Sequence, residues 1–160
     1  MNRNKQRGYA IADHLAGLAL LVAALIFLAA QTPKAWNLLK EVHFSWQASE
    51  ISKGINTWKK NRQTFKDVSI GAACTDGSLS GSVCGDNNDG KQANIYGGDW
   101  TVTVNSSNAL NFDVIGTIPS NPEKIAALAD TVAGGTAEAC DQASGCGSVS
   151  TTANSITMTY

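Results

Sequence analysis

The segment RGYAIADHLAGLALLVAALIFLAAQTPK, Arg7 to Lys34, sets an aspartate, Asp13, at the front of an otherwise apolar run. Leu15 to Ala30 is 16 consecutive residues without a polar side chain. Counted back to Tyr9, the run spans roughly 33 Å as a helix, about the thickness of a bilayer's hydrocarbon core. Asp13 and His14 are its only interruptions. No second run approaches this length, so the chain is expected to cross a membrane at most once.

Beyond Ala30 the helical pattern continues. Phe44, Ala48, Ile51, Ile55 and Trp58 recur at a 4-3-4-3 spacing, which places them on one helix face. Lys59, Lys60, Arg62 and Lys66 crowd the expected C-terminus, where cations complement the helix dipole. Pro33 is expected to kink the helix or break it for about one turn. The spacing predicts one helix over residues 9–65, roughly 85 Å long, membrane-like over 9–30 and amphipathic beyond.

The formal net charge of −1 conceals opposed blocks. Arg3, Lys5 and Arg7 precede the apolar run with no acid among them. Lys34 to Lys66 holds seven basic residues against Glu41 and Glu50, a local +5. From Asp67 onward Lys91 and Lys124 face ten acids, a local −8. Such an acidic C-terminal part repels phosphates, which argues against nucleic-acid binding there.

Residues 66–160 read as a globular head. Residues 71–99 are rich in Gly, Ser, Asn and Asp and read as loop. Trp100–Val104 and Leu110–Val114 alternate on either side of a turn at Asn105–Asn108. They predict an antiparallel hairpin with Trp100, Val102, Val104, Leu110, Phe112 and Val114 facing a core. Ser120–Glu123 reads as a helix start, Ile125–Val132 as a short helix stopped by Gly134 and Gly135, and Ser155–Tyr160 as a terminal strand.

Four cysteines fall as two close pairs without the CxxC spacing or neighbouring histidines of a metal site, which favours disulfides in an oxidising compartment. They permit three pairings, of which Cys74–Cys84 with Cys140–Cys146 is preferred. The head has no histidine for Ser-His-Asp or Cys-His catalysis, so no enzyme activity and no cofactor are expected. The Asp86-Asn-Asn-Asp89-Gly90 stretch invites a calcium reading but lacks the EF-hand register, and a plain turn is preferred. Asn105-Ser-Ser107 matches a glycosylation sequon. Trp36 reads as an interfacial anchor.

A secretory signal would account for the basic start and for Ala29-Ala30, but it leaves Asp13 unexplained. A buried acid in a membrane span costs about 2.5 to 3.5 kcal/mol, a cost that makes sense if Asp13 finds a cation. Arg7-Gly8 followed by Tyr9-Ala-Ile-Ala-Asp13 resembles the type IV pilin family. There a basic leader ends in Gly, a prepilin peptidase cuts after it, the new N-terminus is methylated, and an acid stands fifth. Asp replaces the usual Glu here. Tyr96-Gly-Gly-Asp-Trp100, the alternating strands and the Pro-led helix ahead of a cysteine are similar to type IVb pilins of conjugative thin pili.

The resemblance implies an α+β, pilin-like fold with a leader at residues 1–8, a long helix at 9–65 and a head at 66–160. It implies cleavage between Gly8 and Tyr9, N-methylation of Tyr9, and pairing of Asp13 with a neighbouring subunit's terminal ammonium. The implied partners are further copies of the chain, the prepilin peptidase and the assembly machinery. The implied places are the bacterial inner membrane and then an extracellular pilus for conjugation or adhesion. A minor pilin or type II secretion pseudopilin is one alternative, and a membrane-anchored or secreted binding domain is another.

Overall fold

The structure, a computed structural model, describes the backbone of residues 5–160 and the side chains of residues 17–160. The protein is α+β, with one long helix, α1 (Lys5–Lys59), and a four-stranded antiparallel sheet. It divides into two compact units, one ending at Leu39 and one spanning Lys40–Tyr160.

In the first unit α1 is helical throughout and passes Pro33 without a break. Proline removes the N–H that the Ala29 carbonyl would accept. One residue earlier, Thr32 Oγ1 donates to the Leu28 carbonyl at 3.1 Å. From Gly17 to Leu39 every residue is exposed.

In the second unit α1 supplies a core face of Phe44, Ala48, Ile51, Ile55 and Trp58, all buried. Gln47 shares that face, and its amide donates to the carbonyls of Ser82 (3.1 Å) and Ala93 (3.0 Å). The helix ends at Lys59, six residues short of the expected Phe65. Lys60, just past the helix end, adopts a left-handed φ of 46°;. Phe65 then turns inward, 4.6 Å from Phe112 between ring centroids, with its N–H on the Ala109 carbonyl.

The glycine-rich stretch contains two short helices, α2 (Ile70–Thr75) and α3 (Gly81–Cys84). Ser69 caps α2 by accepting from the Ala72 N–H at 3.1 Å;. Strands β1 (Trp100–Val104) and β2 (Phe112–Thr117) pair in register Val102↔Val114. The expectation for Leu110 fails: it is 59% exposed, because β2 begins only at Phe112 and residues 105–111 form the turn. Asn105 Oδ1 accepts from the N–H groups of Ser107 and Asn108 there, so strand alternation does not extend to Leu110;. Val104 is half-buried.

A 3₁₀ turn (Pro122–Lys124) leads into α4 (Ile125–Ala133), which buries Ile125, Leu128, Ala129, Val132 and Ala133 and is capped by Gly134. Strand β3 (Val149–Thr151) pairs with β4 (Ser155–Thr159), and β4 pairs with β2, giving the sheet order β1-β2-β4-β3.

Candidate functional site

From Gly17 onward the apolar part of α1 is exposed along its length. Leu20 is 74% exposed and Phe27 64%. Among the described residues one helix is long and apolar enough to cross a membrane, with a window of mean hydropathy 1.8 within Gly17–Lys59. Trp36 is exposed just past the apolar run. The surroundings of Gly8 and the side chains of Tyr9 and Asp13 lie outside the described residues, as does the leader start at residues 1–4.

In the head, Cys74 bonds Cys84 across ten residues and Cys140 bonds Cys146 across six. The first bridge joins α2 to α3. Glu138 stands with Cys140 and Cys146 in a cluster of ligand-type atoms within 4.8 Å of one another. Both sulfurs are spent in a disulfide and are no longer thiolate donors, while Glu138 Oε2 accepts the Gly147 N–H at 2.8 Å;.

At the calcium-like stretch, Asp89 Oδ1 accepts the Lys91 N–H at 3.0 Å and its Oδ2 lies 3.5 Å from Lys91 Nζ. Gly90, at φ 72°, approaches the Trp100 carbonyl so closely that a Cβ would collide with it. These contacts build a tight turn. At the sequon, Asn105 Nδ2 is engaged by Asp113 Oδ1 at 2.9 Å.

Sequence reasoning noticed Tyr96–Trp100 but missed the residue that shapes it. Asn94 is buried; its Oδ1 accepts from the N–H groups of Tyr96 (2.9 Å) and Gly98 (3.0 Å), and its Nδ2 donates to the Thr117 carbonyl at 2.7 Å. One amide therefore locks the turn to the end of β2. Tyr96 packs edge-on to Phe44, and burial, with Glu41 nearby, raises its phenol pKa. Glu41 itself pairs with Lys124 at 3.2 Å. The Lys60 ammonium, 2.9 Å away, holds the exposed Asp76 carboxyl below the usual range.

A second feature that sequence reasoning missed lies on α1. Trp46, Glu50, Lys53, Gly54 and Ser78 line an open hollow of about 280 Å³. Trp46 is 57% exposed, with His43 packed edge-on against it at 6.0 Å. Glu50 Oε1 accepts the Ser80 N–H at 3.3 Å, while its Oε2 is buried with no hydrogen-bond partner among the described residues.

Comparisons of the chain with protein-family models, with curated proteins and with solved structures find no match.

Proposed function

We propose that this chain is a structural subunit of a type IV pilin-like filament, held in a membrane by α1 before assembly. One observation carries the reading. A single helix exposes apolar side chains from Leu18 to Leu28 and, further along, is a core element of a disulfide-bonded α+β unit. So much exposed apolar surface needs a cover of lipid or of other apolar helices.

The filament reading is also supported by the sequence register, Gly8 followed by an acid at Asp13, which a plain anchor does not need. Packing of α1 against other copies replaces lipid contact with helix contact, so shape and the Asp13 charge must supply specificity. The function proposed is assembly.

Intact-mass analysis and N-terminal sequencing of material sheared from cells test it. A fibre whose subunits begin at Tyr9 with an added methyl group is expected. A mature chain beginning near Gln31, or retaining Met1, would instead identify a secreted or anchored domain.

A further inference from the structure

We infer that Glu138, Cys140 and Cys146 form a binding site for a zinc-class cation once the Cys140–Cys146 disulfide is reduced. Disulfide and metal are then alternative closures of one loop. The inference concerns the unit Lys40–Tyr160 alone and stands apart from the filament reading.

The ligand set is already gathered. Glu138 Oε2 lies 3.7 Å from Cys140 Sγ and 4.0 Å from Cys146 Sγ, in a cluster whose ligand atoms all fall within 4.8 Å of one another. A tetrahedral zinc ion, with Zn–S near about 2.3 Å and Zn–O about 2.0 to 2.2 Å, sets its sulfur and oxygen ligands about 3.5 to 3.7 Å apart. The carboxylate oxygen therefore stands close to its place before any metal arrives. The sulfurs must part from bonding distance to about 3.8 Å, the edge of the same tetrahedron. That movement is open to Cys140, which is half-exposed. Cys74 and Cys84 are both buried, and among the described residues they belong to no such cluster.

The surroundings hold the carboxylate there. Glu138 Oε2 accepts the Gly147 N–H at 2.8 Å, and its Oε1 occupies space that a Cβ on residue 147 would enter. Buried Ser148 accepts the Glu138 N–H at 3.4 Å, and its Oγ, 3.2 Å from Cys146 Sγ, is placed to donate to a thiolate. Hydrogen bonds of this kind around a metal's ligands fix their orientation. Glu138 is exposed, which leaves the fourth position to water. Two thiolates and one carboxylate select a borderline-soft cation over calcium or magnesium.

A dithiol supplies the two electrons. Its thiolate attacks Cys140 Sγ, the more exposed sulfur, and Cys146 leaves as a thiolate. The second sulfur of the reagent then attacks the mixed disulfide, releases Cys140 and becomes half of a cyclic disulfide. Both cysteines bind as thiolates, so their protons go to solvent as the cation enters.

The full chain in detergent, reduced with dithiothreitol and freed of it by gel filtration under nitrogen, is titrated with Co²⁺ and then with Zn²⁺. A thiolate-to-cobalt charge-transfer band and the visible absorption of tetrahedral cobalt are expected, both lost on adding zinc. The unreduced chain should give neither, nor should the reduced Cys140→Ala/Cys146→Ala variant, which keeps Cys74 and Cys84. Glu138→Gln should weaken zinc binding by about tenfold or more. Zinc should also shield Cys140 and Cys146 from alkylation, with Cys74 and Cys84 unshielded in the peptide map. The site is overturned by a reduced chain without the cobalt band, by the same band from Cys140→Ala/Cys146→Ala, or by unaltered affinity in Glu138→Gln. Shielding spread evenly over all four cysteines, as an unfolded reduced chain would give, overturns it too.

Discussion

Phe44 of α1 lies 4.8 Å, centroid to centroid, from Trp100 of β1, and the space both rings occupy exists because residue 116 of β2 has no side chain. A Cβ on Gly116 would stand 2.7 Å from Trp100 Cζ3 and 2.8 Å from Phe44 Cζ. Both rings are buried and cannot swing outward. Gly116→Val should therefore lower stability by about 1 to 3 kcal/mol, the usual cost of overpacking. Thermal melting in detergent, followed by near-UV circular dichroism, measures it.

Asn94→Ala should be more damaging than its size suggests. It removes the acceptor for the Tyr96 and Gly98 N–H groups and the donor to the Thr117 carbonyl, all in a covered turn. Leaving such groups unpaired costs roughly 2 to 4 kcal/mol in sum. The urea midpoint of the full chain should fall accordingly. Asn94→Asp should recover part of the loss, since it keeps the acceptor oxygen.

The two disulfides are expected to stabilise unequally. Closing loops this short is worth roughly 2 to 3 kcal/mol each by restricting the unfolded chain, with the longer loop worth slightly more. Cys74 and Cys84 are both buried, whereas Cys140 is half-exposed, so replacing the first pair by alanine also leaves voids in the core;. The Cys74→Ala/Cys84→Ala variant should denature at lower urea than Cys140→Ala/Cys146→Ala.

Tyr160 gives the fold an alkaline limit. Burial pushes its phenol up to about 12 from an ordinary value of 10.0. The folded state holds the proton more tightly than the unfolded chain, so the stabilisation is fully present below pH 10 and is lost as pH rises toward about 12;. Absorbance at 295 nm should show a late tyrosine component that disappears in Tyr160→Phe, together with loss of near-UV signal. Tyr160→Phe should flatten the fall in stability over that window.

On the filament reading, Asp13→Ala should leave export and membrane insertion intact and reduce fibre yield by about tenfold or more, because a terminal amine in low dielectric loses its partner. Asp13→Glu should assemble well. Fibre yield by shearing, compared at equal membrane levels, separates this from an Asp13 that merely faces water at the interface. Wild-type yield from Asp13→Ala would refute the charge-pair account.

What the sequence by itself determined is whatever depends on near neighbours along the chain. The apolar length of α1 is one example. The face of Phe44, Ala48, Ile51, Ile55 and Trp58, the alternation of β1 and β4, and the glycine stop of α4 are others, since period and propensity act within a few residues. Only tertiary structure decided the rest. It ended α1 at Lys59, where Lys60 takes a left-handed φ of 46° and Phe65 packs on Phe112. It exposed Leu110, because the Asn105 turn occupies the residues that alternation would have claimed. It placed β4 beside β2 and recruited the three-residue β3, too short to carry a pattern. It buried Gln47 and Asn94, polar residues whose value lies in carbonyls and amides reached across the fold. The hollow at Glu50 belongs to the same class, since Ser78 and Ser80 meet α1 there only after folding. A free acceptor is legible only once its surroundings are assembled.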